Sequence, residues 1–316
     1  MQKRKLGNTD LMVSPVMFGG NVFGWTADER TSFDLLNEFT SAGFNFIDTA
    51  DVYSRWASGA GGESESIIGR WMKQKGNRNQ IIIATKGGMD MGQGKTDVTK
   101  KYLIKAAEDS LRRLQIDHID LYQTHKDDES VPVEEALEAY AQLIKEGKIR
   151  FVGASNFTPA RLTAALNASE KNGLPRYATL QPLYNLCERE VFEKELEPLC
   201  LKHNIGVINY FALAAGFLTG KYKTKNDLSQ SVRGARVEPY LNDRGFKILE
   251  AVEKVAMQHS TSNASIAIAW LLHRPSVTAP IASATNLKQL EPIIKSVEIK
   301  LTPQEISLLD EASKWK

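Results

Sequence analysis

The chain has 316 residues, of which 42% are hydrophobic and 25% are charged, and this balance is that of an ordinary globular protein with a substantial core. With 40 basic and 38 acidic side chains the net charge is only +2, so no basic stripe predicts binding to nucleic acid. No apolar run approaches the ~18 residues that a membrane span needs, and the basic residues at positions 3–5 lead into polar residues rather than into the apolar part of a signal peptide.

Short apolar runs alternate with amphipathic stretches along most of the chain. The opening stretch, Lys3 to Ser14, has Gly7-Asn8 between short runs and predicts a β-hairpin. Continuous apolar runs are typical of parallel strands that are covered on both faces. The predicted strands are Met12–Phe18, Phe44–Ile47, Ile81–Ala84, Ile119–Tyr122, Phe151–Gly153, Ala178–Leu180, Gly206–Ile208 and Val277–Ile281.

Helix start and stop signals stand between these runs. Thr99 precedes a stripe of apolar residues at helical spacing, and Thr158 is a capping residue followed by a proline at the first helical position. Gly147 follows another amphipathic stretch, at a point where a left-handed C-cap is favoured. Two further helices are predicted over Asn263–Leu272 and Pro303–Ala312.

These elements predict an α/β fold: one (β/α)8 TIM-barrel domain over residues 1–316, with an N-terminal β-hairpin and long loops on the carboxyl side of the strands. No proline- or glycine-rich linker divides the chain into two domains. The competing architecture is an open doubly wound sheet, but its GxGxxG fingerprint after the first strand is absent. The longest irregular stretch, Gly220–Asn242, is predicted to be a lid over a functional site.

A glycine or a polar residue follows most of the predicted strands. Chemistry in such barrels sits at the carboxyl ends of the strands, and a barrel that only packs has no need for so many of these groups there. Each of them alone could be a solvated loop residue, so it is the whole set that predicts a site. In chain order they are Gly19-Gly20-Asn21, Asp48, Lys86, His125, Ser155-Asn156, Gln181 and Tyr210, with Tyr53 five residues after Asp48.

The order and spacing of Asp48, Tyr53, Lys86 and His125 resemble the catalytic tetrad of the aldo-keto reductase superfamily, in particular bacterial-type members related to the branch with channel β-subunits. The segments from Gly153 to Phe157, from Gln181 to Asn185 and from Gly216 to Tyr222 extend the resemblance over essentially the whole chain. It implies an NADP(H)-dependent oxidoreductase that reduces an aldehyde or a ketone, sugar-like compounds included, to an alcohol.

Reduction of a carbonyl group needs a hydride at carbon and a proton at oxygen, and the resemblance implies that Tyr53 donates the proton. We expect the Lys86 ammonium to lower the pKa of this phenol, and Asp48 to pair with the ammonium and raise its pKa. His125 is expected to donate an N–H to the carbonyl oxygen. No side chain supplies a hydride, so a nicotinamide cofactor is expected.

The resemblance also implies which residues hold that cofactor. Ser155, Asn156 and Gln181 are expected to bind the nicotinamide carboxamide, and Tyr210 to stack on the ring. No metal site is expected. The other expected contacts are Gly20, Asn21, Leu213, Gly216, Leu218, Lys221, Ser283, Thr285 and Gln289.

The segment after the last predicted strand departs from the family pattern. Thr285 stands where the family usually has an arginine for the 2′-phosphate. NADP(H) is the expected cofactor and NAD(H) the alternative, because a guanidinium grip on the phosphate supplies much of that discrimination. Lys288, or Arg233 and Arg236 in the long loop, are candidates to replace the missing arginine.

Trp25 and Trp56 are predicted to form apolar walls around a small-molecule carbonyl substrate. Two other functions stay open. One is a Schiff-base aldolase with Lys86 as nucleophile, against which the neighbouring Asp48 argues, since a counter-charge raises the pKa of an amine. The other is a nicotinamide-binding redox sensor that serves a partner protein with little turnover.

The two cysteines, Cys187 and Cys200, are expected to be reduced thiols rather than a disulfide. This suits a reducing compartment, and the cytoplasm is the expected location.

Overall fold

The computed structural model describes residues 1–315. A β-hairpin of β1 (Arg4–Lys5) and β2 (Met12–Val13) precedes a sheet of eight parallel strands. These strands are β3 (Met17–Gly19), β4 (Phe46–Asp48), β5 (Ile82–Gly87), β6 (Ile119–Thr124), β7 (Ile149–Ser155), β8 (Thr179–Gln181), β9 (Gly206–Val207) and β10 (Ile281–Ala282).

The sheet closes on itself. Strands β3 to β9 pair in chain order, and β10 pairs with β3. The backbone N–H of Thr278 donates to the carbonyl of Val207 at 2.8 Å, and that of Ile281 donates to Asn209 at 2.9 Å, which joins the last strand to the β9 side. The predicted (β/α)8 barrel with its N-terminal hairpin is confirmed.

Most of the helices cover the outside of the barrel. In chain order the helices are α1 (Glu29–Ser41), α2 (Arg55–Ser58), α3 (Glu63–Lys75), α4 (Lys100–Leu114), α5 (Val133–Lys145), α6 (Pro159–Asn172), α7 (Glu197–His203), α8 (Asp243–Gln258), α9 (Asn263–Leu272), α10 (Leu287–Lys295) and α11 (Pro303–Ser313). The short α2 lies in the loop after β4. Thr99 and Thr158 are N-caps, and Gly147 adopts a φ of 71° after α5, as predicted. None of the helices among the described residues is long and apolar enough to cross a membrane.

The bounds of the predicted strands differ from the observed ones by a few residues, and two predicted strands are interrupted because each contains a proline. The run Met12–Phe18 is split: Met12 and Val13 pair antiparallel with β1, and the barrel strand starts only at Met17. Pro15 lies at the break, where its missing N–H cannot join a ladder. In the run Val277–Ile281, Val277 makes a single bridge to Val207, and regular pairing starts at Ile281, after Pro280.

The inside of the barrel has an apolar half and a polar half. Side chains from the hairpin, such as Leu6 and Val13, pack with Phe46, Ala84 and Leu121 in one buried cluster. Arg4 fastens the hairpin to the barrel, with its guanidinium donating to the carbonyls of Val277 and Leu272. The hairpin therefore covers the amino end of the strands and leaves the carboxyl end, the rim, for other groups.

The segment Gly220–Asn242 contains three short helical turns, Lys225–Gln230, Gly234–Arg236 and Glu238–Tyr240. Its role as a lid stays a prediction. Cys187 and Cys200 are both free thiols, as predicted, and both are buried.

Candidate active site

Strand alternation brings three of the four catalytic candidates to the rim. Asp48 ends β4, Lys86 lies near the end of β5, and His125 directly follows β6. Asp48 lies two residues after Phe46, and Lys86 two residues after Ala84, so both point into the barrel like these core residues.

Tyr53 reaches the same place from the loop after β4. The next residue, Ser54, holds a left-handed φ of 70°, which is uncommon for a residue with a side chain. Its buried hydroxyl donates to the carbonyl of Phe23 at 2.6 Å and so anchors the turn. The turn directs the Tyr53 ring back over Lys86, whose Nζ lies 4.7 Å from the ring centroid.

The Lys86 ammonium uses all three of its donors inside the barrel. Nζ donates to Asp48 Oδ1 at 2.6 Å, to the carbonyl of Thr49 at 2.7 Å and to Tyr53 Oη at 3.1 Å. Tyr53 Oη in turn donates to Asp48 Oδ2 at 3.0 Å. Lys86, Tyr53 and Asp48 thus form a closed hydrogen-bonded triad. Lys86 is fully buried, and Asp48 is 1% exposed.

Burial sets the direction of the pKa shifts in this triad. It lowers the pKa of Lys86, an effect that outweighs the opposing pull of Asp48. It also raises the pKa of Tyr53 well above its usual value, and the Asp48 carboxylate adds to the rise. Both directions differ from the predictions, which weighed only the nearest charge. Tyr53 is therefore a neutral phenol at neutral pH, and it retains a proton to give.

His125 lies beside the triad, with its ring centroid 5.9 Å from that of Tyr53. Burial lowers the pKa of His125 well below its usual value, and the Lys86 charge adds to this. The imidazole is therefore neutral at neutral pH and offers one N–H donor. Its Nδ1 atom is buried without a hydrogen-bond partner among residues 1–315.

The residues predicted to bind the nicotinamide adjoin the triad. Gln181 Nε2 donates to Asp48 Oδ1 at 3.0 Å, and Ser155 Oγ donates to the backbone carbonyl of Gln181. Asn156 Nδ2 donates to the carbonyl of His125, and Tyr210 Oη donates to Asn156 Oδ1 at 2.9 Å. One hydrogen-bonded network thus joins both predicted groups.

Other predicted cofactor contacts form separate clusters. Ser283 Oγ donates to Asn21 Oδ1 at 2.6 Å, which links the ends of β10 and β3, next to Gly20. Thr285 donates through its N–H and hydroxyl to Gln289 Oε1. Neither cluster is hydrogen-bonded to the triad.

The segment after Tyr210 supplies the remaining predicted contacts. Leu213, Gly216 and Leu218 lie in a kinked turn in which Ala215 and Gly216 have left-handed backbone angles. The Leu218 side chain is fully buried in the core, and its role as a cofactor contact stays a prediction. Lys221 is exposed, with its ammonium 4.9 Å from the centroid of the Tyr222 ring.

The two predicted substrate residues meet at the mouth of the site. Trp25 and Trp56 pack edge to face with ring centroids 5.3 Å apart, and Trp56 lies 6.2 Å from Tyr53. Arg233 of the long loop covers Trp25, with Cζ 5.3 Å from the ring centroid. Its Nη2 atom is buried and has no hydrogen-bond partner within residues 1–315.

Three buried polar groups near the site were not predicted. Glu65 accepts from Arg113 and Thr85 and so braces β5 behind Lys86. Asp51 is buried with both carboxylate oxygens unpartnered in the described part of the chain, and burial raises its pKa to about 8. Gln123, two residues before His125, is fully buried and hydrogen-bonded to Gln181. The two-residue spacing from Gln123 to His125 could have revealed Gln123, since residues two apart in a strand point to the same face.

Comparisons with known proteins agree on one family. Residues 15–314 match the family model described as aldo/keto reductase family. The chain is 35% identical to an uncharacterised oxidoreductase of Bacillus subtilis, over 98% of this chain and 95% of that protein. It is 31% identical to a probable voltage-gated potassium channel subunit beta of Arabidopsis thaliana, over 100% and 98% of the two chains. It is 30% identical to a norsolorinic acid reductase of Aspergillus flavus, over 95% of this chain and 78% of that protein.

Proposed function

Because the chain belongs to the aldo/keto reductase family, we propose that residues 1–316 form one enzyme domain that reduces an aldehyde or ketone to an alcohol with NADP(H), with Tyr53 as general acid. The observation that carries the proposal is the buried triad in which Lys86 donates to Tyr53 while Tyr53 donates to Asp48. We expect this enzyme to be located in the cytoplasm.

The triad keeps the Tyr53 hydroxyl protonated until the substrate oxygen becomes an alkoxide. Burial raises the pKa of Tyr53, so the phenol stays protonated until a much stronger base, the alkoxide formed by reduction, lies against it. The ammonium of Lys86 already donates to Tyr53 Oη and stabilises the phenolate that remains. The neutral imidazole of His125 donates its N–H to the oxygen of the substrate carbonyl group and orients that oxygen toward Tyr53. A bound nicotinamide would supply the hydride, which no side chain here can provide.

The residues around the triad fit a nicotinamide dinucleotide. Gln181 keeps its amide oxygen free of any donor in the described residues, and the Tyr210 ring lies next to Asn156. Lys221, Arg233 and Arg236 have no carboxylate partner within residues 1–315, which suits the phosphates of a dinucleotide. These cations could bind the 2′-phosphate of NADP(H) in place of the arginine that is missing at Thr285.

A single substitution tests this role. Arg233→Ala should weaken NADPH binding by about 10-fold or more, since a hydrogen bond to a charged group contributes about 1.5–3 kcal/mol. Lys225→Ala is the matched control, because Lys225 lies in the same loop but is already paired with Glu238 at 3.0 Å. Equal affinities in the two variants would remove Arg233 from the cofactor site, and equal binding of NADPH and NADH by the wild type would remove the preference for NADP(H).

The mouth of the site indicates the shape of the substrate. Trp25 and Trp56 form two apolar walls beside Tyr53, which suits a substrate with a flat or apolar face, such as an aryl aldehyde or the apolar face of a sugar. One relative is named for the reduction of norsolorinic acid, so aryl ketones belong among the test compounds.

The decisive experiment follows the absorbance of the reduced nicotinamide with a panel of aryl and alkyl aldehydes, quinones and keto-sugars. We expect multiple turnovers by the wild type. Tyr53→Phe, which removes only the hydroxyl, should bind cofactor normally and lose reduction. Unchanged turnover in Tyr53→Phe would exclude Tyr53 as the acid. Trapping of a substrate adduct on Lys86 by borohydride would instead favour an aldolase.

A second function has one observation in its favour. The chain resembles a channel β-subunit along its whole length, so it could act as a nicotinamide-binding sensor for a partner protein. A sensor would show hydride transfer in a single turnover, little steady-state rate with any carbonyl compound, and a stable complex with a membrane protein. Steady multiple turnover would exclude it.

A further inference from the structure

The amide of Gln123 lies inside the barrel next to the triad, and the proposed chemistry does not use it. Gln123 is opposite Lys86 in the pairing of β5 with β6, and opposite Gly153 in the pairing of β6 with β7. Paired residues of neighbouring strands point to the same side of a sheet, so Gln123 enters the interior alongside Lys86. No part of Gln123 is exposed.

The absence of a side chain at Gly153 lets Gln123 reach across β7. A Cβ at this position would lie 2.2 Å from Thr179 Oγ1, which is closer than packed atoms allow, and 3.0 Å from Gln123 Cγ, which is a tight contact. With only hydrogen there, Gln123 Oε1 accepts a hydrogen bond from Gln181 Nε2, two strands away, at 3.4 Å. The same nitrogen donates to Asp48 Oδ1 at 3.0 Å.

These two contacts decide which way round the Gln181 amide lies. An amide has two donors at its nitrogen and an acceptor at its oxygen, and a half-turn of the group exchanges them. In the reversed orientation the oxygen of Gln181 would face both the Asp48 carboxylate and the oxygen of Gln123, which is repulsive. The nitrogen therefore points inward, and Gln181 Oε1 is left as an acceptor toward the site.

We propose that Gln123 is a positioning residue, which fixes Gln181 as the acceptor for the N–H group of the nicotinamide carboxamide. This inference rests on the proposed function, because it needs a nicotinamide at Gln181. The new element is Gln123, whose effect on binding would be confined to ligands that carry this N–H. An acetylpyridine analogue, which carries a methyl ketone in place of the carboxamide, has no such N–H to offer.

The test compares dissociation constants for NADPH and for its acetylpyridine analogue, measured by protein fluorescence. Gln123→Met keeps the size of the side chain and removes the acceptor. It should weaken NADPH binding by about 3–10-fold, the worth of one hydrogen bond, and leave binding of the analogue unchanged. In a Gln181→Met background the same substitution should have no further effect, because its partner is gone.

Thr179→Val is the matched control. Thr179 lies on the other side of Gly153, its hydroxyl has no partner in residues 1–315, and it too becomes apolar without a change in shape. It should leave both dissociation constants unchanged. If Gln123→Met does not fold, Gln123→Asn withdraws the acceptor while keeping an amide, and the same result is expected.

Several outcomes would overturn the role of Gln123: unchanged NADPH binding in its variants, equal losses for NADPH and the analogue, or a loss that adds to that of Gln181→Met. A wild-type chain that binds neither dinucleotide would overturn the proposed function, and this role with it. Wild-type binding together with unaffected Gln123 variants overturns only this role.

Discussion

Replacing Lys86 with methionine would leave the Asp48 carboxylate without a counter-charge inside the barrel. The two side chains are 0% and 1% exposed, and Lys86 Nζ lies 2.6 Å from Asp48 Oδ1. Removing one partner of a buried ion pair costs about 3–5 kcal/mol, because the other charge stays in a medium that solvates it poorly. We therefore expect the free energy of unfolding to fall by that amount in Lys86→Met.

The same loss can be expressed as a change in Tm. An unfolding entropy of about 2.1 cal/mol/K per residue amounts to about 0.66 kcal/mol/K over 316 residues, so the Tm should fall by about 5–8 °C. Urea titration and thermal unfolding of the same samples provide two independent measurements. Adding Asp48→Asn to Lys86→Met should recover part of the loss, because the unpaired charge is then removed as well.

A surface ion pair of the same length is the control. Lys105 Nζ also lies 2.6 Å from a carboxylate, that of Asp109, but the Lys105 side chain is 73% exposed. Such pairs contribute no more than about 0.5 kcal/mol, since water solvates the Lys105 ammonium and Asp109 keeps a second ion pair, with Arg112. Lys105→Met should therefore leave the free energy of unfolding and the Tm almost unchanged. Equal losses in Lys86→Met and Lys105→Met would refute the argument, because burial would then have no influence on the result.

Three further predictions concern buried groups. Burial raises the pKa of Asp51 to about 8 from a usual 3.8, so between these values the folded chain holds a proton that the unfolded chain has lost. The free energy of unfolding should therefore fall as pH rises through this range, and Asp51→Asn should lose that part of the slope in urea titrations at several pH values. Gly153→Ala places a Cβ 2.2 Å from Thr179 Oγ1 and should cost about 1–3 kcal/mol. Adding Thr179→Ala should restore part of this in the same titrations, and no recovery would contradict the contact. Burial raises the pKa of the Cys187 and Cys200 thiols to about 12, so a thiol reagent should label them far more slowly in the native chain than in urea, and equal rates would contradict this.

The position of the candidate site could be predicted from the sequence because the two-residue period of a strand determines which side chains point into the barrel. Phe46 and Asp48, or Ala84 and Lys86, are two residues apart, so an apolar interior residue marks the face on which the next polar residue must lie. The same period runs from Leu121 through Gln123 to His125. Gln123 was nevertheless missed, because a glutamine inside an apolar strand carries no sign of the partner that it meets two strands away.

The pKa shifts could not be predicted in the same way. The sequence shows that Lys86 and Asp48 are neighbours at the rim, and the charges alone predict a lowered phenol pKa and a raised amine pKa. In the structure both pKa values shift in the opposite direction, since burial disfavours the charged form of both Tyr53 and Lys86. The position of Arg233 over Trp25 could not be predicted either, because an irregular loop has no repeating geometry from which the direction of a side chain follows.

The N-terminal hairpin also determines how molecules reach the interior. Leu6 and Val13 pack into the buried apolar cluster at the amino end of the barrel, so a ligand of the proposed site would arrive and depart at the opposite rim, beside Tyr53. If the cofactor binds at Gln181 as proposed, it would enter before a carbonyl compound seated between the two tryptophans and would leave after it.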